Sequence, residues 1–509
     1  MKTGSWFKKK IRKTTKHIIH DAIDTPVYSS LQLNEKCLSS IFNEAPDFTI
    51  HHLMILQDTK AALIYLNSLI DKNIIHQNIL RPLIYDITSP DQIWDATAIL
   101  SHTTCTTSWE EIEVAILEGN SILFVDGAEK ALIISTQGWP KRTVEEPKAE
   151  TMLKGGHEGF LETDTQNIAL IRRFIPSREL KIKQYRVGER GSIKVHVLYL
   201  RDVAHPEVLE ELENRIQQID VDTILTAGEL EQYIEDNTFT PFPQFILTER
   251  PDVTALHILQ GRIGVIVDRS PRALITPVNF ISFFQTIDDY NVRWLLAFFI
   301  RLLRITGFFI AVFLPSIYIA IISFHYEVIP MDLVLSIGES RERVPFSPIL
   351  EATLMELTLE MLREAGVRLP AAIGQTVSIV GGIVIGQAAV QAGLASNIMV
   401  IIVSLTAIAS FIVPVFDMAY AIRLLRFPMM ILAWLFGMVG IAMGMMVIIG
   451  HLISMETMGT PYGTPLAPLR WSDWKDSVIR APLRYIDKRQ VGARPTQRQK
   501  QRRNSPDKE

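Results

Sequence analysis

The chain has 509 residues, enough for two or three folding units, and 48% of them are hydrophobic, a high share for a soluble protein of this length. Its formal net charge of −4 is too near neutral to point to nucleic acid as a partner. Two cysteines, Cys37 and Cys105, make neither a disulfide framework nor a metal cluster, and reduced thiols in a cytoplasmic domain are expected.

The N-terminus carries seven Lys or Arg residues within Met1–Lys16, yet no apolar run follows, so no secretory signal is read and residues 1–30 are taken as a basic arm. From about Leu31 to Phe284, strand-length apolar runs (Ile122–Val125, Ile193–Leu200, Ile263–Val267) alternate with helical patterns such as Pro206–Gln218. Such alternation predicts an α/β layer structure. Within it the chain repeats itself. Gly119 precedes Asp126 and Ala131-Leu132-Ile133 at the same spacings by which Gly261 precedes Asp268 and Ala273-Leu274-Ile275. Each copy reads as a helix stopped by Gly, an apolar strand, a turn after Asp, and a return strand. Two similar α/β subdomains are therefore expected, 31–150 and 151–293, joined through the breaker-rich stretch Lys141–Gly159. No phosphate loop, nucleophile elbow or His-Glu metal motif occurs. Asp126 and Asp268 read as turn caps rather than a catalytic pair, and no enzyme activity, metal or cofactor is expected.

The hydrophobic excess lies in the second half. No Asp, Glu, Lys or Arg occurs in Ile305–Tyr326, Leu369–Phe416 or Phe427–Met455. A span takes about 20 apolar residues, so the reading is an all-α multi-pass membrane domain over 294–455 with about four spans. Arg293, Arg301 and Arg304 at the first span read as an anchor at the cytoplasmic face. Residues 456–509 form a basic tail, with twelve basic residues against five acidic ones in Arg470–Glu509; it lies against anionic lipid or is simply solvated.

Between the first two spans, Ser347–Gly366 reads as an amphipathic helix capped by Ser347, begun by Pro348 and stopped by Gly366. Leu350, Leu354, Leu357 and Met361 form one stripe, and Glu356, Glu360, Arg363 and Glu364 the other. The acidic stripe is either a solvated face or, in a ring of subunits, a vestibule of Glu356, Glu360 and Glu364 that concentrates cations. Over Ile373–Ala392, a helical wheel puts Gly374, Ser378, Gly381, Ala388 and Ala392 on a small-residue packing face. Thr376, Val380, Val384, Gln387 and Gln391 fall opposite. That stripe suits a pore lining with an apolar constriction, or else its Gln residues bond to neighbouring helices within one subunit.

The four-span topology meets one conflict of charge. Four spans put both basic ends on one side but leave Arg423 and Arg426 outside, against the positive-inside tendency. An embedded helix at Ser347–Gly366 or a re-entrant segment near Pro414 would change the count.

The chain resembles the A subunit of the spore germination receptors, the GerA family of endospore-forming bacteria. The resemblance is carried by Gly159-Phe160, Leu170-Ile171-Arg172-Arg173, Thr248-Glu249-Arg250-Pro251-Asp252, Asp289-Tyr290, Arg363-Glu364-Ala365-Gly366, Arg368-Leu369-Pro370, Ile385-Gly386-Gln387-Ala388-Ala389-Val390 and Gly459–Tyr462. Gly156-His157 departs from the family pattern, in which a Pro-Arg pair precedes Glu158. The resemblance implies a nutrient receptor subunit in the spore inner membrane, its soluble domain of two α/β subdomains on the core side. It further implies a homo-oligomer, a pentamer, forming a ligand-gated channel for monovalent cations, and partnership with a transporter-like B subunit and a lipoprotein C subunit. Under that implication Thr376, Val380, Val384, Gln387 and Gln391 line the pore. A non-conducting membrane scaffold, and more remotely a secondary transporter, are the rival readings.

Overall fold

The computed structural model describes residues 26–55, 59–85, 93–94, 103–138, 156 and 158–500. Most of the basic arm, nearly all of the Lys141–Gly159 stretch and residues 501–509 lie outside the described residues. The chain forms two compact units. The first holds Met1–Ile234, Leu247–Thr276 and Ala493–Arg498, and the second holds Glu235–Ile246, Pro277–Gly492 and Gln499–Glu509.

The first unit contains two five-stranded sheets of the same design. Strands β1 (Phe48–Ile55), β2 (Thr59–Leu66), β3 (Thr103–Thr106), β4 (Ser121–Val125) and β5 (Ala131–Ile134) lie in the order β1-β2-β4-β5-β3. Strands β6 (Leu180–Val187), β7 (Ile193–Leu200), β8 (Ile246–Thr248), β9 (Ile263–Val267) and β10 (Ala273–Thr276) lie in the order β6-β7-β9-β10-β8. Even the register repeats: Ala61 faces Val125 as Val195 faces Val267, and Ile64 faces Ile122 as Leu198 faces Gly264. Helices α1 (Leu31–Ile41) and α2 (Trp109–Leu117) cover one face of the first sheet, where Leu38, Trp109 and Ile116 pack on Ile64, Ile122 and Phe124. Helices α3 (Asp164–Phe174), α4 (Pro206–Gln217), α5 (Ala227–Ile234) and α6 (Pro251–Leu259) belong to the second copy.

The repeat read from Gly and Asp spacing has a backbone cause. Gly119 and Gly261 follow α2 and α6 at φ +87° and +98°, a left-handed region costly for side chains. Each donates its N–H back into the helix, to Ile116 O at 3.1 Å and Ile258 O at 3.0 Å. The Asp126 and Asp268 N–H groups then bond to Lys60 O and Lys194 O, equivalent carbonyls of β2 and β7. A further pair was not legible in the sequence. Asn34 closes a two-way bond with the backbone of Tyr28, and Asn167 closes the same one with Leu161.

Charge joins the two copies. Arg172 of α3 makes a bidentate pair with Asp47, at 2.8 and 2.7 Å, with both side chains buried. Burial alone would raise the Asp47 carboxyl; the Arg172 guanidinium holds it below its ordinary value. Lys181 Nζ donates to Asn43 Oδ1 at 2.7 Å, and Tyr199 donates to Glu44 at 2.7 Å.

The second unit is helical. Its helices of more than ten residues are α7 (Trp294–Phe324), α8 (Met331–Arg341), α9 (Pro348–Arg368), α10 (Ala371–Gln391), α11 (Asn397–Phe411) and α12 (Phe416–Ser454). Among the described residues, α7 and α12 are long and apolar enough to cross a membrane. Two sequence readings need correction here. Gly366 does not end α9, which continues to Arg368 and stops before Pro370. The run Phe427–Met455, read as one span, folds back on itself. Gly437 sits at φ 60°, ψ −140°, and a Cβ placed on Gly440 or Gly444 would meet Leu432 or Met429. In a straight helix Gly444 and Met429 would lie about 22 Å apart at about 1.5 Å per residue, so α12 is a hairpin of two arms, 416–436 and 438–454.

Candidate functional site

Helix α10 carries no charged residue over its 21 positions and begins directly after Pro370. Its small residues let it approach α9. A Cβ on Gly374 would come within 2.5 Å of Gly366 O, and one on Gly381 within 2.9 Å of Leu362 Cδ2. Further along, Ala388 and Ala392 of the same expected face are exposed. On the opposite stripe Val384 is 56% exposed, and Gln387 and Gln391 are exposed too. Thr376, Ser378 and Val380 lie on the helix, with side chains outside the described residues. The Val384–Gln391 stripe is thus left uncovered by the single chain.

Beside it, α9 turns only part of the expected acidic stripe inward, since Glu360 keeps 42% of its side chain exposed and Glu364 61%. Glu351 and Glu356 are buried, whereas Leu350, Leu354, Leu357 and Met361 are exposed. Each inward carboxylate has a partner. Glu351 pairs with Arg341 at 2.6 Å and accepts from the Ser396 N–H and hydroxyl at 2.7 and 2.6 Å. Glu356 pairs with Arg426 of α12, and Glu360 with Arg363 at 2.9 Å and Arg423 at 2.5 Å. Glu364 pairs with Arg368 at the exposed end. Glu356 therefore does not face an open vestibule, because α12 brings a cation against it. Arg426 does a second task. Its Nε donates to Ala311 O at 2.8 Å, the carbonyl left without a helical donor because Pro315 stands four residues on in α7.

Where α7 begins, a second charged cluster is buried. Asp289 accepts from Arg301 Nε at 2.8 Å and from Arg304 Nη1 at 2.9 and 3.0 Å. Arg301 also donates to the Asp476 carbonyl, and Tyr290 OH donates to Asp476 Oδ1 at 2.9 Å. Burial, reinforced by Asp476, pushes the Tyr290 hydroxyl above its ordinary value. The interfacial anchor at the cytoplasmic face expected of Arg301 and Arg304 is corrected: Arg301 is 1% exposed and its charge is used inside the protein. Arg293 alone of the three is exposed.

In the α/β unit, Asp126 Oδ1 accepts from Leu31 N at 3.1 Å and so caps α1. Asp164 bonds to His196 Nε2 at 2.9 Å and Lys194 at 3.3 Å. The His196 bond, strengthened by Lys194 and the Thr165 N–H, lowers Asp164 to about 2. Among the described residues no group of His, Cys, Asp and Glu could hold a metal ion.

Sequence reasoning missed Arg341, Glu351, Ser396, Asp476 and the roles of Arg423 and Arg426. One signal was present: two acids one turn apart in α9 and two arginines one turn apart in α12, beside charge-free runs where unpaired charge is costly.

The model of the Bacillus/Clostridium GerA spore germination proteins matches residues 36–491. Spore germination protein KA of Bacillus subtilis is 42% identical over 433 residues, covering 84% of this chain and 80% of that protein. GerLA of Bacillus cereus is 37% identical over 449 residues, 87% of this chain and 91% of its own length. Among solved structures, the N-terminal domain of the A subunit of the Bacillus megaterium spore germinant receptor GerK3 is 28% identical, with 98% of it matched by 50% of this chain at a TM-score of 0.40. Relatives of this identity and coverage, together with the family match over most of its length, place the chain in the GerA family of spore germination proteins, to which it belongs.

Proposed function

We propose that this chain is the A subunit of a germinant receptor of the spore inner membrane, and that copies of it assemble around α10 into a ligand-gated channel for monovalent cations. The observation that carries the reading is the uncovered stripe of α10. Val384, Gln387 and Gln391 are exposed in the single chain, on a helix without charge, where lipid would leave the two amide side chains poorly solvated. Either pore water or neighbouring copies satisfies them, and a ring of subunits, five by the family resemblance, provides both. A transporter-like B subunit binds the nutrient and a lipoprotein C subunit completes the complex, with the α/β unit on the core side. Nutrient binding shifts α10 along its Gly374–Gly381 contact with α9, and the constriction at Val380 and Val384 widens and hydrates.

The pairing of Glu356 and Glu360 with arginines favours a second reading, a non-conducting scaffold, because it removes most of the acidic vestibule. Subunit stoichiometry in detergent separates the two. Mass measurement of the purified chain is expected to give a closed ring of several copies; a stable monomer, folded and extracted from membranes, would overturn the channel.

A further inference from the structure

We infer that α9 is embedded in the bilayer, with its Leu350, Leu354, Leu357 and Met361 face against lipid acyl chains. The inference rests on the membrane reading of the helical unit and is independent of conduction. At 21 residues, α9 reaches about 30 Å at about 1.5 Å per residue, close to the roughly 30 Å of a hydrocarbon core. Its charge is distributed as lipid requires. Glu351 and Glu356 are buried against arginines, Glu360, 42% exposed, is paired with Arg363 and Arg423, and Glu364 pairs with Arg368 at the helix end. The outward stripe is 42–65% exposed leucine and methionine. Even the Thr358 hydroxyl is satisfied within the helix, by Leu354 O at 2.7 Å.

The direction of each helix gives an independent argument. Call the side where α7 begins the near side. Glu351 lies by the Arg341 that bonds Tyr318, and Glu356 by the Arg426 that bonds Ala311, so α9 runs opposite to α7, back to the near side. Gly374 against Gly366 and Gly381 against Leu362 make α10 antiparallel to α9. Gly307 against Ala409, with Ser396 at Glu351, returns α11 to the near side. The first arm of α12 then runs parallel to α7, Arg426 by Ala311 and Gly437 by Phe324. The second arm comes back. If α9 is a crossing, the path makes six, and the C-terminal segment ends on the side where α7 began. The 412–415 turn lies on that side too. Arg423 and Arg426, which opposed the four-span count, are neutralised by Glu360 and Glu356 and no longer act as loop charges. If α9 lay in water, the same contacts would put an unpartnered leucine stripe in solvent.

The test uses the full chain in proteoliposomes with Cys37 and Cys105 replaced by Ser and a nitroxide label on Leu354→Cys or Leu357→Cys. The label is expected to relax strongly with oxygen and at least several-fold less with a water-soluble nickel chelate. Strong relaxation by the chelate would overturn the inference by placing α9 in water. Protection from both agents would overturn it by placing a second copy or a partner on the stripe. Extraction of the chain by alkaline carbonate would overturn the membrane reading itself, a failure distinct from the other two. An impermeant maleimide supplies a second readout. Ile412→Cys and Arg484→Cys are expected to react from the same side of the vesicle, and reaction from opposite sides would contradict the six crossings.

Discussion

Helices α4 and α9 are both amphipathic, and they face opposite ways. In α4 of the α/β unit, Val208, Leu212 and Ile216 are buried while Glu207 and Glu210 are exposed. In α9 of the helical unit, Glu351 and Glu356 are buried while Leu350, Leu354 and Leu357 are exposed. The periodicity of a sequence therefore marks two faces without saying which one meets solvent; that depends on whether the solvent is water or lipid. The α/β unit derives its stability from apolar burial between sheets and helices. In the helical unit lipid offers no such gain, and specificity falls to close packing at small residues and to paired charge.

The largest effect that sharpens this contrast is at Arg426. Arg426→Met strands the Glu356 carboxylate and the Ala311 carbonyl, and is expected to cost about 3–5 kcal/mol, the range for breaking one side of a buried pair. Glu356→Leu combined with Arg426→Met is expected to recover most of that loss. Unfolding of the purified chain in a denaturing detergent reads both; a loss under about 1 kcal/mol for the single variant would mean that the pair is solvated.

The two helices also answer the same substitution differently. Leu212→Ala in α4 is expected to destabilise by about 2–5 kcal/mol, the usual cost of a core cavity. Leu354→Ala in α9, on the exposed stripe, is expected to change stability by less than about 1 kcal/mol. Equal losses at the two positions would break the comparison.

A smaller effect belongs to the α/β unit and has a pH signature. Asp164 is lowered to about 2 from an ordinary value of 3.8. A depressed carboxyl stabilises the fold above its unfolded value, so this contribution is present above about pH 4 and is lost as the pH falls towards 2. Asp164→Asn is expected to lower the first thermal transition at pH 5 and to bring it level with wild type near pH 2. A shift that persists unchanged at pH 2 would assign the effect to packing.

Much of the fold was legible because local rules set it. Gly119 and Gly261 occupy left-handed positions that few other residues tolerate, and their spacing to Asp126 and Asp268 follows from a strand of fixed length. The strand-length apolar run Ile193–Leu200 marked β7 to the residue. The helical unit was less legible. Gly437, Gly440 and Gly444 stand in an unbroken apolar run, so nothing local distinguishes a hairpin from a straight span. The partners of Glu356 and Glu360 lie about sixty to seventy residues away, and only the packed helices bring them together. On the candidate pore helix, periodicity separated the Gly374–Gly381 face from the Val384–Gln391 stripe, but which of them α9 covers depends on tertiary contact.

The central claim is conduction through a ring built on α10, and potassium efflux from liposomes tests it most directly. Wild-type chain, Val380→Ala and Val384→Ala are reconstituted at equal density, with insertion and ring formation confirmed. The account predicts that wild type holds potassium while both alanine variants leak, because each shortens an apolar side chain at the constriction. Three equally tight preparations would contradict it and move the scaffold reading ahead.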